Sequence, residues 1–184
     1  MNRITLPTQD HTLAASISLL DAVKKQLGVV PNLMKLLGIS PAALGGYLSL
    51  NKALSKGTLD AKTRERIALA IAEINACNYC LSAHTYLGKN VTKLDDAEIA
   101  ANRNGDSSDP KAAVAIRSAI RVALERGHVL DADFNAVKAA GYTQAEIVEI
   151  VLHVALNTLT NYINVVAQTE IDFPQVNSAS RAAA

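Results

Sequence analysis

The feature that most constrains this chain is a helical apolar period, punctuated by start and stop signals, from one end to the other. Residues 12–27 repeat apolar positions at Leu13, Ile17, Leu20, Val23 and Leu27, and Gly28 stops them. Val30-Pro31-Asn32 restarts the chain into a short segment, 32–38. Ser40-Pro41 reads as an N-cap followed by proline at the first helical position, opening 41–55, which Gly57 ends. Asp60 caps 61–75. A segment over 77–90 follows, then 95–104. Asn104-Gly-Asp-Ser-Ser-Asp109 reads as a loop, and Asp109-Pro110 starts 110–126. Gly127-His128 breaks that helix, Asp131 caps 132–140, and Gly141 ends it. Thr143-Gln-Ala-Glu146 is a capping box opening the longest helix, about 144–170. No strand pattern of period two stands out. The expectation is an all-α bundle of about seven to nine helices.

At 184 residues the chain is expected to be a single domain, 1–184, able to bury a sizeable core, with a poorly ordered tail from about 173. Nearly half of it, 49%, is hydrophobic, mostly Ala, Leu, Ile and Val, which suits helices packed on helices. A net charge of +1 with dispersed basic residues gives no long-range attraction for nucleic acid or an anionic membrane. The first residues lack the apolar core of a signal peptide. No apolar run reaches the roughly 18 residues needed to span a bilayer, since Glu149 and His153 interrupt the nearest candidate, 147–156. A cytoplasmic protein is expected. In that compartment thiols are kept reduced, so two cysteines are more often reactive or metal-bound than a structural staple.

Both cysteines lie in Glu73-Ile-Asn-Ala-Cys77-Asn-Tyr-Cys80-Leu-Ser-Ala-His84. At about 100° per residue, Cys77, Cys80 and His84 share one helical face. Three readings compete. Cys77, Cys80, His84 and Glu73 could bind zinc, but a second ligand cluster is missing, and His11, His128 and His153 show no ligand spacing. The cysteines could be inert core residues. Or they form a catalytic dithiol, whose reactive thiol needs a lowered pKa from a helix N-terminus or an imidazole. The only two cysteines of the chain, spaced for a disulfide and followed by a histidine, favour the third. Glu73 and Glu65 both compete to orient His84. In one continuous helix Glu65 would lie roughly 18 Å from Cys77. A turn at residues 75–78 would bring its helix back against His84.

Arg64-Glu65-Arg-Ile-Ala-Leu-Ala, followed by Asn-Ala-Cys77-Asn-Tyr79-Cys80-Leu-Ser-Ala-His84, resembles the carboxymuconolactone decarboxylase / alkylhydroperoxidase D superfamily, especially its peroxidase-related, AhpD-like branch. The pattern is Glu, eleven residues, Cys-x-x-Cys, three residues, His. A looser likeness takes in Gly28-Val-Val-Pro31-Asn32 and the Asn161-Tyr162-Ile-Asn stretch. The resemblance implies an AhpD-like helical fold assembled as a homo-trimer or homo-hexamer. It implies hydroperoxide reduction without metal or cofactor, with a thiol or dithiol reductant to be identified. Carried over, Cys80 is the peroxidatic thiolate, Cys77 the resolving thiol, and Glu65 with His84 the proton relay. Glu73 then becomes a surface or salt-bridging residue. Tyr79 stands where alkylhydroperoxidase D proper has a histidine, and is a candidate for lining the peroxide pocket. Decarboxylase members generally lack the dithiol, so lactone decarboxylation is disfavoured. The competing class is a non-enzymatic redox sensor or metal-binding oligomer. His153 is expected to be a satisfied core or interface histidine, and Tyr47 an ordinary aromatic.

Overall fold

A computed structural model of the chain describes residues 2–8 and 11–179. Among them are nine α-helices: α1 Ala14–Leu27, α2 Asn32–Leu37, α3 Pro41–Leu54, α4 Ala61–Ile74, α5 Asn78–Leu87, α6 Asp96–Arg103, α7 Pro110–Leu124, α8 Asp131–Ala139 and α9 Gln144–Ala167. There is no strand among the described residues. The predicted starts rest on the caps that were read from the sequence. Ser40, Asp60 and Asp109 each accept a backbone N–H from the first turn of the following helix, and Thr143 with Glu146 forms the full capping box. Asp131 is the exception. It is the first helical residue of α8, behind Leu130, where its charge still favours the helix N-terminus. The end of the predicted 77–90 helix also differs, because Gly88–Thr92 winds as a π-helical turn.

Helix α4 is the hub. It packs against α5, α6, α7 and α9, and Ile67, Leu69, Ala70, Ile71 and Ala72 are buried from every side. The run Ile67–Ala72 is apolar on every side, as a segment enclosed by other helices must be, and the charged residues of α4 flank it. One apolar cluster joins Val23, Leu33, Met34, Leu37 and Leu44 to Cys77, Tyr79, Cys80 and Leu81. A second gathers Leu59, Ile67, Ile71, Ala115, Ala119, Val137 and Ile150 around α4, α7, α8 and α9. The thiols therefore sit at the edge of a core rather than on the surface.

Helix α9 corrects one expectation. By length and composition it could cross a bilayer, where the sequence predicts no such run, and half of it is buried within the protein. Its inward face carries Asn157, Thr160, Asn161 and Asn164. Its outward face is an apolar stripe of Val148, Val151, Leu159, Tyr162, Val165 and Val166.

Residues 173–179, expected to be poorly ordered, run across the start of α5 and are held there. Phe173 stacks edge-on against Tyr79, and Val176 N–H donates to Ser82 Oγ at 2.9 Å. Ser178 N–H donates to Asn78 Oδ1, and Ala179 N–H to Glu73 Oε1. Residues 180–184 of the expected tail lie outside the described residues.

Candidate active site

The turn between α4 and α5 makes the site. α4 ends at Ile74 with Asn75 as its C-cap, and Ala76 takes the left-handed conformation at φ 50°. Cys77 N–H reaches back to Ala72 C=O at 3.0 Å, the six-to-one bond of a Schellman ending. Cys77 is at the same time the N-cap of α5, with its Sγ accepting the Cys80 N–H at 3.4 Å. One turn thus closes the first helix and opens the second. It folds α5 back against α4, as the sequence required if Glu65 was to reach His84.

It does reach. Glu65 Oε1 lies 2.8 Å from His84 Nδ1, with both side chains largely shielded from solvent. A carboxylate only accepts, so Nδ1 carries the hydrogen and Nε2 is left free to exchange a proton. Burial works against a charged ring. The Glu65 carboxylate and the Cys80 sulfur outweigh it and raise the His84 pKa above its ordinary value.

Both cysteines are buried free thiols, yet their environments push them apart. Cys80 is lowered to about 7, first by a hydrogen bond from the Cys77 thiol. Burial opposes that shift, while His84 and the Asn164 and Asn161 amides assist it. Asn164 Nδ2 donates to Cys80 Sγ at 3.3 Å. Cys77 moves up, because its S–H is spent on Cys80 and its surroundings are apolar. One thiol is thus poised near neutral pH while the other is held protonated, so the two sulfurs of the pair are chemically distinct.

The remaining sequence candidates separate cleanly. Glu73 does not join the cysteines, so the four-ligand zinc set is not assembled. Its carboxylate takes Arg103 Nε at 2.7 Å and Ser178 Oγ at 2.8 Å. It is buried and salt-bridging, not a surface group. Among the described residues no three His, Cys, Asp or Glu gather as metal ligands. Arg66 pairs with Glu98 and Asp109, and Arg64 donates to the Leu54 and Ser55 carbonyls. These contacts engage both arginines elsewhere. Tyr79 lines a cavity of about 270 Å³ shared with Ala76, Cys77, Asn164 and Ile171. Its hydroxyl is engaged behind that wall, accepting Leu33 N–H at 3.0 Å and donating to Asp172 Oδ1 at 2.8 Å. His153 is buried as expected, but its Nε2 has no hydrogen-bond partner, so it is not satisfied.

Two groups were missed. Asn161 and Asn164 enter the sequence reading only through a loose likeness, though two asparagines on the inner face of an apolar helix signal buried polar work. Tyr47 packs against the cysteine cluster and is pushed up to about 12, chiefly by burial and then by the Cys80 charge.

Residues 41–125, which include Glu65, both cysteines and His84, match the Carboxymuconolactone decarboxylase family. Over 45 residues the chain is 51% identical to an uncharacterized protein of Haemophilus influenzae, a stretch covering 24% of this chain and 40% of that one. The alkylhydroperoxidase AhpD core of an uncharacterized peroxidase-related protein from Ralstonia eutropha JMP134 superposes with a TM-score of 0.83 at 23% identity. That match covers 93% of this chain and 92% of the other. Residues 41–125 are thus similar to the carboxymuconolactone decarboxylase family, and the chain as a whole shares the AhpD-like helical fold. The debrominase Bmp8, solved with 2,3,4-tribromopyrrole, shares the fold at a TM-score of 0.71 and 18% identity, over 94% of each chain. A peroxidase-related protein and a debrominase thus share this fold, and the fold alone does not select the reaction.

Proposed function

We propose that this chain is an antioxidant oxidoreductase that reduces hydroperoxides through a Cys77–Cys80 dithiol/disulfide cycle, with Glu65 and His84 as its proton relay. The observation that carries the reading is the opposite displacement of the two thiols beside the Glu65–His84 pair. Cys80 thiolate attacks the terminal oxygen of R–O–O–H. The S–O bond forms, the O–O bond breaks, and the leaving alkoxide takes a proton from His84. Cys80 becomes a sulfenic acid that keeps the hydroxyl. Cys77 sulfur then attacks it, the disulfide forms, and hydroxide leaves with the Cys77 proton as water. An external thiol or dithiol returns both sulfurs to the reduced state.

Assembly as a homo-trimer or homo-hexamer in the cytoplasm belongs to the same reading. The uncharged, apolar outward stripe of α9 supports a second copy as its cover, and mass measurement in solution tests it.

The function is tested by thiol loss on adding an organic hydroperoxide. One equivalent of peroxide should consume both thiols, at a rate that climbs with pH through about 7 as Cys80 ionises. Cys80→Ser should abolish the reaction. Cys77→Ser should leave a sulfenic acid trapped by dimedone. A chain whose thiols ignore hydroperoxide, or which purifies with one zinc bound to them, is a sensor or a metal protein instead.

A further inference from the structure

Helix α9 sends two amides toward Cys80. Asn164 Nδ2 donates to its Sγ at 3.3 Å. Asn161 stands one turn earlier on the same buried face, where side chains are neighbours. Its carbonyl end is already spent, because Asn75 Nδ2 donates to Asn161 Oδ1 at 2.9 Å. Asn75 is the C-cap of α4, in the turn that places both cysteines. With its oxygen held there, Asn161 keeps its N–H end free. That Nδ2 is buried, in a residue 0% exposed, and makes no hydrogen bond among the described residues. The amide still acts on Cys80. The sulfur is held down first by the Cys77 thiol, against burial, and then by His84, Asn164 and Asn161.

Buried donors without acceptors are rare, because each carries an uncompensated desolvation cost. A thiol or disulfide sulfur is a weak acceptor and leaves most of that cost standing. A thiolate carries a full charge, and hydrogen bonds to ionised groups are roughly twice as strong as neutral ones. The Asn161 donor is therefore idle while Cys80 is a thiol or part of a disulfide, and engaged once Cys80 is a thiolate. A group engaged in one state of three shifts both equilibria toward that state. Cys80 ionises more readily, and the disulfide gives way more readily to the reduced pair.

We propose that Asn161 is a second donor to the Cys80 thiolate, aimed by Asn75 as a positioning residue, and that this donor makes the Cys77–Cys80 disulfide easier for an external dithiol to reduce. One reductant sulfur, as thiolate, bonds to Cys77 while the Cys77–Cys80 bond breaks. Cys80 leaves with the electron pair, as the lower-pKa sulfur should, and the two amides receive it. The reductant's second thiol then bonds to the first. Cys77 leaves and takes that thiol's proton, so two electrons have passed to the cysteines and the reductant ends as a disulfide. The inference rests on the peroxidase reading for its place in turnover, but both readouts are taken without peroxide. The titratable groups facing Cys80 are Cys77, His84 and Tyr79 beside it, Glu65 behind His84 on α4, and Tyr47 on α3. All are left unchanged in the variants compared.

The test compares whole purified parent, Asn161→Ala and Asn75→Ala proteins, with Cys80→Ser as the blank for thiolate absorbance. Asn161→Ala should raise the pH of half-ionisation by about one unit, a tenfold loss. Its equilibrium constant for reduction by dithiothreitol should fall close to tenfold at about pH 9, where the parent Cys80 is ionised. At about pH 5, where Cys80 is protonated in every variant, that constant should not change. Asn75→Ala should move both readouts the same way by about threefold. It lies in a partly exposed turn and carries the test if the buried Asn161→Ala does not fold. Half-ionisation within about twofold of the parent in whichever variants fold overturns the assignment. A fall in the dithiothreitol constant as large at pH 5 as at pH 9 is a general loosening of the disulfide, and overturns it too. A shift in Asn161→Ala with none in Asn75→Ala removes Asn75 from it. A parent that ignores hydroperoxide sinks the peroxidase reading while these readouts still decide the role of Asn161.

Discussion

Glu65 and Glu73 stand two turns apart on α4, roughly 12 Å along its axis, and the helix uses them in opposite ways. Glu73 is surrounded by donors that keep their protons: the Arg103 guanidinium, the Ser178 hydroxyl and the Ala179 N–H. Its charge is consumed in tying α6 and the C-terminal segment to the end of α4. Glu65 meets an imidazole, a partner able to gain and lose a proton, and through it the Cys80 sulfur. A carboxylate among permanent donors is a fastener. A carboxylate beside one titratable ring is placed to serve the proposed relay. The partners decide the role, and neither the residue type nor its closeness in sequence to the cysteines does.

The comparison breaks first at Glu73. Glu73→Ala strips a buried carboxylate from Arg103, whose side chain is 23% exposed and so partly rescued by water. The expected loss is about 2–4 kcal/mol, read as a lower urea midpoint. The pH profile of thiol alkylation should stay where it is. A profile that moves as far as it does on changing Glu65 would mean that both carboxylates serve the relay.

The histidines repeat the contrast. His84 has a carboxylate and is raised, whereas His153 is lowered to about 4, first by burial and then by the Arg64 charge. Below pH 6.5 the unfolded chain protonates His153 while the folded chain holds it neutral. Stability from this group should therefore fall as pH drops from about 6.5 to about 4, and level off below. The span is about 2–3 kcal/mol, allowing for some solvent access. His153→Leu should flatten that part of the curve of unfolding free energy against pH. An unchanged slope in the variant would show that His153 titrates normally in the folded state. A separate acid loss, from about pH 4.5 down to about 2, belongs to Glu98. Burial opposes its charge, but the Ser107, Ser108 and Asn102 donors more than compensate and hold its carboxyl at about 2.

Glu65→Gln should do less to the fold and more to the chemistry. An amide keeps one hydrogen bond to His84 and removes the charge that favours its protonated ring. With less positive charge beside it, Cys80 should ionise at higher pH. At neutral pH the thiol should react about tenfold more slowly, as about one pKa unit implies, with the urea midpoint changed by less than that of Glu73→Ala. A rate that recovers fully at high pH would confirm that ionisation is what was lost. A deficit that persists there would place Glu65 in the transfer step as well.

Much of this was legible in the chain because the signals are local. Ser40, Asp60, Asp109 and Thr143 act within one turn of themselves, so their sequence reading and their hydrogen bonds coincide. The Glu65–His84 contact was legible only conditionally. Periodicity can place each residue on its helix, but the crossing of the two helices hangs on Ala76 adopting a left-handed turn, which alanine does not advertise. The ordering of residues 173–179 was not legible, because Glu73, Asn78 and Ser82 reach it across about a hundred residues of chain. The Asn164–Cys80 contact was hidden for the same reason, with its ends 84 positions apart in the chain.

Tyr79 is the smallest lever and the sharpest check on where the relay stops. It sits between the cysteines, yet its hydroxyl faces Leu33 and Asp172, and burial raises its pKa well above the ordinary tyrosine value. Tyr79→Phe keeps the ring that walls the cavity and removes only the hydroxyl. Asp172 is exposed, so water replaces its lost donor, and the main cost falls on the buried Leu33 N–H. The expected loss is about 1 kcal/mol in unfolding free energy, with the ionisation of Cys80 and its rate with hydroperoxide both unchanged. If the phenylalanine variant instead slowed peroxide reduction as much as Glu65→Gln does, the hydroxyl would have to leave Asp172 during turnover. The tyrosine would then be a mobile member of the relay, and the division between fastening groups and proton-moving groups would run through residue 79 rather than along α4.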